Sequence, residues 1–208
     1  MSESRVYFAQ VARQWDELRS GYFTEAMRDA AITRADLPPG AVVADVGTGS
    51  GFVLAGLLDR AKRLTGFDES PEMLAVASER FAACPQVQFK RTDGRVLPDE
   101  DNAYDAVFAN MYLHHVPDPP AAVREMVRIL RPGGKLIITD LDSHDQAWMA
   151  EAMADRWLGF ERGDVRRWYE QAGLEAIDID CAAGTCDCGD PGGESIALSI
   201  FVALGRKA

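Results

Sequence analysis

Cysteine is scarce, at 4 of 208 residues, and histidine scarcer, at 3. So few cysteines exclude a disulfide-stapled scaffold. Positive charge is also in short supply: 22 Lys and Arg stand against 33 Asp and Glu, a formal net charge of -11. A surface of that sign repels phosphate backbones and anionic lipid, so neither nucleic acid nor a membrane surface is an expected partner. No apolar run approaches the roughly 18 residues of a membrane span. The opening Met1-Ser2-Glu3-Ser4-Arg5 is polar and lacks the apolar stretch of a secretory leader. The expectation is a soluble cytoplasmic protein acting on a small molecule, with an oligomeric state that composition does not specify. Hydrophobic residues at 47% and charged ones at 26% suit a single α/β domain over residues 1–208.

Apolar and polar residues alternate in a βα rhythm, which predicts a mostly parallel sheet covered by helices on both faces. Ser4 to Ala35 has helical spacing at Phe8, Val11, Trp15 and Leu18, with Gly21 as a break, and Leu37-Pro38-Pro39-Gly40 stops it. Strands are expected at 41–46, 63–68, 87–92, 104–112 and 135–140. Helices are expected at 52–63, from Ser70-Pro71 to Cys84-Pro85, and from Asp118-Pro119 to Leu130. Beyond that, 145–158 and 164–172 read as helices. The strands 175–181 and 196–204 follow, joined by a Gly- and Cys-containing loop and expected to run antiparallel.

The most informative stretch is Asp45-Val46-Gly47-Thr48-Gly49-Ser50-Gly51, between a strand and a helix. Its glycines allow a tight turn and close approach of a ligand to backbone, and the helix start offers free N–H groups. The dinucleotide fingerprint needs a glycine where Phe52 stands, which counts against a nicotinamide-dependent oxidoreductase. About twenty residues on, Asp68 ends the second strand, where a carboxylate can accept both hydroxyls of a ribose. Asp93-Gly94 follows the third strand, with a carboxylate suited to an adenine amino group. Ligands of open α/β sheets bind at the carboxyl ends of strands, and these three features meet there.

Together with Gly66-Phe67-Asp68-Glu69-Ser70-Pro71, Leu113-His114-His115-Val116-Pro117-Asp118 and Arg131-Pro132-Gly133-Gly134, this set resembles the class I S-adenosylmethionine-dependent methyltransferases. It is most similar to the small-molecule branch that includes the ubiquinone and menaquinone biosynthesis methyltransferases. The resemblance implies a Rossmann-like, doubly wound, seven-stranded sheet, mostly parallel with an antiparallel last strand. It also implies S-adenosyl-L-methionine as cofactor. Gly47, Thr48, Gly49 and Gly51 would then pass beneath its methionine part, with Asp45 ordering the turn. Asp68 would bind the ribose, and Glu69 and Met73 would flank the adenosine. Asp93 and Gly94 would meet the adenine, and Asn110 would face the methionine amino group. Residues 1–36 would form a helical lid, 41–141 the cofactor-binding core, and 142–208 the acceptor-side helices and strand pair.

Transfer from a sulfonium needs alignment and exclusion of water more than a catalytic side chain. A base is required only if the acceptor must lose a proton. His144 and His115 are the candidates, since both follow strand ends on the cofactor side. Tyr7, Phe8 and Trp15 on the first helix, with Tyr22 and Tyr112, are candidates for the lid and acceptor site. Cys181, Cys186 and Cys188 lack the paired Cys-x-x-Cys spacing of a zinc site, so no metal is expected. Their thiolates leave open a metalloid-methylating or metalloid-binding alternative.

Overall fold

A computed structural model describes residues 3–19, 23–189 and 195–208. At its centre lies β1 (Ala41–Val46), buried along nearly its whole length because helices cover both sides of the sheet. The chain winds outward through β2 (Ala61–Asp68) to β3 (Val87–Arg91), then returns to the other side of β1. There it adds β4 (Tyr104–Asn110), β5 (Leu130–Leu141), β6 (Leu174–Gly189) and β7 (Ser195–Lys207). The strand order is β3-β2-β1-β4-β5-β7-β6. β7 pairs antiparallel with both β5 and β6, so it alone runs against the others, as expected. The order reverses between β1 and β4, and their carboxyl ends open the crevice where this architecture takes ligands.

Successive strand residues point to opposite faces, so Val43 and Ala44, Ile137 and Ile138, and Val202 and Ala203 divide between two apolar layers. One layer is closed by α3 (Glu25–Ala35), α4 (Phe52–Leu57) and the end of α5 (Pro71–Arg80). The other is closed by α6 (Pro119–Ile129) and α8 (Arg162–Gln171). Two lysines hold the far edge. Lys135 Nζ donates to the Ala35 and Asp36 carbonyls (2.7 and 3.1 Å) at the end of α3. Lys207 Nζ donates to those of Val127 and Leu130 (2.9 and 2.7 Å) at the end of α6. Each cation thereby neutralises carbonyls at the C-terminal end of a helix, where most lack an intrahelical donor. Among the described residues no helix is long and apolar enough to cross a membrane.

Four expectations are corrected by tertiary contacts. The helical run to Ala35 divides into α1 (Glu3–Val11), α2 (Trp15–Arg19) and α3, because the turn at 12–14 lets Asp16 accept a hydrogen bond from Ser50 (2.7 Å). The helix from Phe52 stops at Leu57, since Ala61 already pairs with Ala41 in the sheet. Of the expected helix 145–158 only α7 (Trp148–Ala152) forms, because the Arg156 and Trp157 N–H groups bond the His114 carbonyl (2.9 and 3.1 Å). The expected Cys-containing loop is largely strand, with Cys186 paired to Leu198 and Cys188 to Ile196.

Gly66 shows how closely sheet and loop are fitted. A Cβ there would lie 2.8 Å from both the Phe89 ring and the Thr48 methyl. Gly66→Ala is therefore expected to cost about 1–3 kcal/mol through overpacking, read from urea unfolding. An unchanged midpoint would show that the loop does not press on this strand.

Candidate active site

The turn after β1 is built by hydrogen bonds and by glycine conformation. Gly47, Gly49 and Gly51 have φ of 73°, 52° and 84°, a left-handed region that side chains resist. The N–H groups of Gly47 and Thr48 both donate to the Phe67 carbonyl at 2.9 Å, pinning the turn to the neighbouring strand. The Thr48 hydroxyl donates to Asp45 Oδ2 (2.7 Å). Asp45 Oδ1 is buried and has no hydrogen-bond partner among the described residues. Burial pushes the Asp45 carboxyl up to about 7, the Thr48 bond opposing and the charge of Asp68 adding.

Asp68 holds the next strand tip. Its Oδ2 accepts from Gly49 N–H (2.8 Å) and its Oδ1 from Ser70 N–H (2.9 Å). Burial raises its carboxyl to about 6 against the pull of those N–H donors. Ser70 caps α5 by accepting from Met73 N–H (3.2 Å), with Pro71 in the first turn, as the sequence indicates. Beyond β3, Asp93 is turned partly to solvent and accepts from Arg95 N–H (3.1 Å), while Gly94 has φ 77°. At the end of β4 the Asn110 side-chain oxygen accepts from the Thr139 hydroxyl.

These tips surround a cavity of about 590 Å³. Asp45, Gly47, Thr48 and Gly49 line it from the first turn. Asp68, Glu69 and Met73 line it from the second, Asp93 and Gly94 from the third, and Asn110 from the fourth. Gly51 does not reach it and packs on Phe81, whose ring would stand 2.4 Å from a Cβ at that position. Phe52, where a dinucleotide fold would need glycine, puts its own side chain into the cavity wall.

The first helices close one side. Phe8 and Trp15 line the cavity, and the Phe8 ring stands edge-on to both Trp15 and His115, each at 5.1 Å. Trp15 rests on the glycine turn, its indole nitrogen 3.6 Å from where a Gly49 Cβ would be. Tyr7 is outside the lining, its hydroxyl 3.9 Å from Met153 Sδ. Tyr22 lies outside the described residues. Tyr112 comes from the β4 end and lies across the strand tips. Its ring would be 2.4 Å from a Cβ on Gly47, and its hydroxyl 2.2 Å from one on Gly94. Burial, with the charges of Asp68, Glu69 and Asp93, holds that phenol well above its ordinary range.

The histidines divide. His115 lines the cavity beside Val116 and Pro117, whereas His144 is not among the lining residues. His144 Nδ1 accepts from Gln146 N–H (3.2 Å), its Nε2 is buried without a described partner, and burial lowers its pKa. His114 is buried, with Nδ1 2.6 Å from Asp140 Oδ1. Burial works to lower the His114 pKa, but Asp140 and Asp155 outweigh it and hold it above the usual value. Burial and the charge of His114 drive His115 well below. Cys181 is exposed, with its sulfur 3.2 Å from Arg162 Nη2, and the side chains of Cys186 and Cys188 lie outside the described residues.

Sequence reasoning did not single out Phe23, Asp140, Asp155 or Arg156, and it used Phe52 only as an argument against a dinucleotide site. Asp140 ends a recognisable strand and could have been found from that. Asp155 and Arg156 sit inside a stretch whose periodicity reads as helix, which conceals their position.

S-adenosylmethionine fits this chemistry. The unpartnered Asp45 oxygen can accept from an ammonium, Asp68 keeps lone pairs for hydroxyl donors, and Gly47 and Gly94 give a strip of bare backbone, covered here by the Tyr112 ring, on which a flat group can lie in its place. A family model described as a methyltransferase domain matches residues 44–138. The chain is 30% identical over 166 residues to the chloroplastic 2-methyl-6-phytyl-1,4-hydroquinone methyltransferase of Arabidopsis thaliana, covering 78% of this chain and 48% of the relative. It spans about half the length of that relative and of the similar rice and spinach enzymes. It is 31% identical over 216 aligned positions to the demethylmenaquinone methyltransferase of Bacillus cereus, covering 85% of this chain and 90% of that one. A solved S-adenosylmethionine-dependent methyltransferase from Aquifex aeolicus superimposes with a TM-score of 0.71 at 20% identity, over 96% and 98% of the two chains. With the family's glycine turn, strand-tip carboxylates and reversed last strand all in place, the chain belongs to the S-adenosylmethionine-dependent methyltransferases.

Proposed function

We propose that this chain transfers a methyl group from S-adenosylmethionine to a small aromatic acceptor of the hydroquinone or demethylmenaquinone kind. The observation that carries the reading is one cavity with two kinds of lining. Glycine backbone and the Asp45 and Asp68 carboxylates supply polar surface, and Phe8, Trp15, Phe23 and Phe52 supply aromatic walls. An aromatic ring suits such walls, since edge-on and offset contacts add to the gain from burial. The relatives whose names print a hydroquinone or a demethylmenaquinone as acceptor agree with that class.

When bound, the cofactor supplies an electrophilic methyl group on a sulfonium. The residues 41–141 bind and aim it: Asp68 takes the ribose hydroxyls, Asp45 and Asn110 the ammonium end, and Asp93 and Gly94 the adenine edge. Residues 1–36 act as a lid whose aromatics exclude water, and residues 142–208 complete the acceptor side. Catalysis then rests on alignment in a dry site. We assign to His115, which lines the cavity, the hydrogen bond to an acceptor hydroxyl. The scarcity of cysteine suits a cytoplasmic enzyme. The relatives' named acceptors favour a small organic molecule over the cysteine-dependent alternative, and Cys186 and Cys188 lie in β6 in backbone pairing with β7.

Two measurements test this reading. Asp68→Ala removes an ionised acceptor, so cofactor affinity by calorimetry should fall by about 1.5–3 kcal/mol, roughly 10- to 150-fold. Unchanged affinity would mean the ribose binds elsewhere. The second is pH dependence. Asp45, raised to about 7, must be ionised to hold an ammonium, so affinity should rise with pH through that value and fall below it. Between roughly pH 8 and pH 5.5 the loss through Asp45 should approach 30-fold, with Asp68, raised to about 6, adding a few-fold at the acid end. Asp45→Asn should leave only the shallower dependence due to Asp68, and a slope as steep as the wild type's in that variant would remove Asp45 from the site.

A further inference from the structure

Against the part of the cavity wall formed by His115 lies a group of side chains of which the proposed methyl transfer uses His115 alone. The 3-10 turn Leu113–His115 carries two histidines whose rings are 4.0 Å apart, and the loop after α7 brings Asp155 against them. We propose that His114, His115 and Asp155 form a binding site for a divalent first-row transition-metal ion such as Zn²⁺, Co²⁺ or Mn²⁺. The proposal is independent of which acceptor is methylated.

Geometry comes first. One ligand atom from each residue can be chosen so that all lie within 4.8 Å of one another. Asp155 Oδ1 is 3.7 Å from His114 Nε2 and 3.8 Å from His115 Nδ1. Two bonds of about 2.1 Å at a tetrahedral angle put ligand atoms about 3.4 Å apart, so the two distances to Asp155 need contract by only a few tenths of an ångström, and the two histidine nitrogens, within 4.8 Å, close on the ion by ring rotation. Donor type selects the ion: two imidazoles and one carboxylate suit zinc and its neighbours, whereas Mg²⁺ and Ca²⁺ prefer oxygen throughout.

Two further observations point to a ligand. The Asp155 side chain is only 2% exposed, yet its Oδ2 has no hydrogen-bond partner among the described residues. A buried carboxylate oxygen left without a donor is costly, and a cation removes that cost. The second is the orientation of His114. Its Nδ1 is held at 2.6 Å by Asp140 Oδ1, and Asp140 is itself fixed by the Leu113 and Leu141 N–H groups (2.8 Å each). A carboxylate gripping one ring nitrogen so that the other faces an ion is the usual support of a metal-bound histidine, and here the free Nε2 faces Asp155. His115 Nδ1 contacts the Ala154 carbonyl (3.2 Å), a bond that metal loading exchanges for the ion.

Three protein ligands leave a fourth position, as in sites that bind an exchangeable oxygen rather than in closed structural ones. His115 also lines the cavity, so the site abuts it.

The test uses full-length, tag-free protein stripped with a chelator and titrated with Co²⁺ alone. Calorimetry should give one equivalent, and the visible absorption of the bound ion should show imidazole coordination. The isosteric Asp155→Asn and the cavity-side His115→Ala should each weaken Co²⁺ by more than the roughly 10- to 100-fold that loss of an outer-shell partner costs, with Asp140→Asn falling in that range. Circular dichroism establishes that each variant is folded. Asp178→Asn and Cys181→Ser, at other carboxylate and thiol positions, should bind as the wild type does. Absence of saturable binding would overturn the proposal. So would binding that survives both Asp155→Asn and His115→Ala, or that is lost in the Asp178 or Cys181 variant.

Discussion

One carboxylate ties the ligand-facing edge of the sheet together. Asp68 accepts from Gly49 on one side and from Ser70 on the other, so the turn after β1 and the start of α5 share a single anion. Everything around the cavity is referenced to that link. Gly49 carries the Trp15 indole above it, and Ser70 opens the helix that places Met73 in the wall. The anion is stable in so enclosed a place because backbone N–H groups at turns are already aimed at it. Burial still raises its proton affinity, which marks how much hydration has been given up. A binding site assembled this way is partly unsatisfied without its ligand, and the bare oxygen of Asp45 is the clearest sign.

The sheet supplies rigidity for that tension. Its central strands are apolar on both faces, and the helix ends at the opposite edge are fastened by Lys135 and Lys207. Stability is thus concentrated away from the ligand edge, where glycines and carboxylates give some of it up for function. Such a division is common in enzymes whose sites carry strain or unpaired charge.

Much of this could be read in the amino-acid order, and the rest could not, for identifiable reasons. Local chemistry was legible: the glycine turn, the Ser70-Pro71 and Asp118-Pro119 helix starts, and Asp68 at a strand end all depend on a few adjacent residues. The doubly wound seven-stranded sheet and its reversed last strand came from resemblance and match the structure. What escaped depends on distant partners. Residues 153–158 have helical spacing, yet the His114 carbonyl captures two of their N–H groups and Ala154 takes a φ of 58°. The result is an inward-facing Asp155 that no local pattern signals. The strands around Cys186 and Cys188 likewise extend because each supplies the other's hydrogen bonds, a mutual effect invisible in either segment alone.

The position of Tyr112 bears on how tightly any flat ligand can be held. Its ring rests on Gly47 with the hydroxyl beside Gly94, so a base that settles on that strip must first displace an aromatic side chain already resident there. Entry becomes an exchange of one ring for another, and little new apolar surface leaves water in the trade. The net driving force then falls to the polar extremities of the guest, which the protein meets with fixed carboxylates.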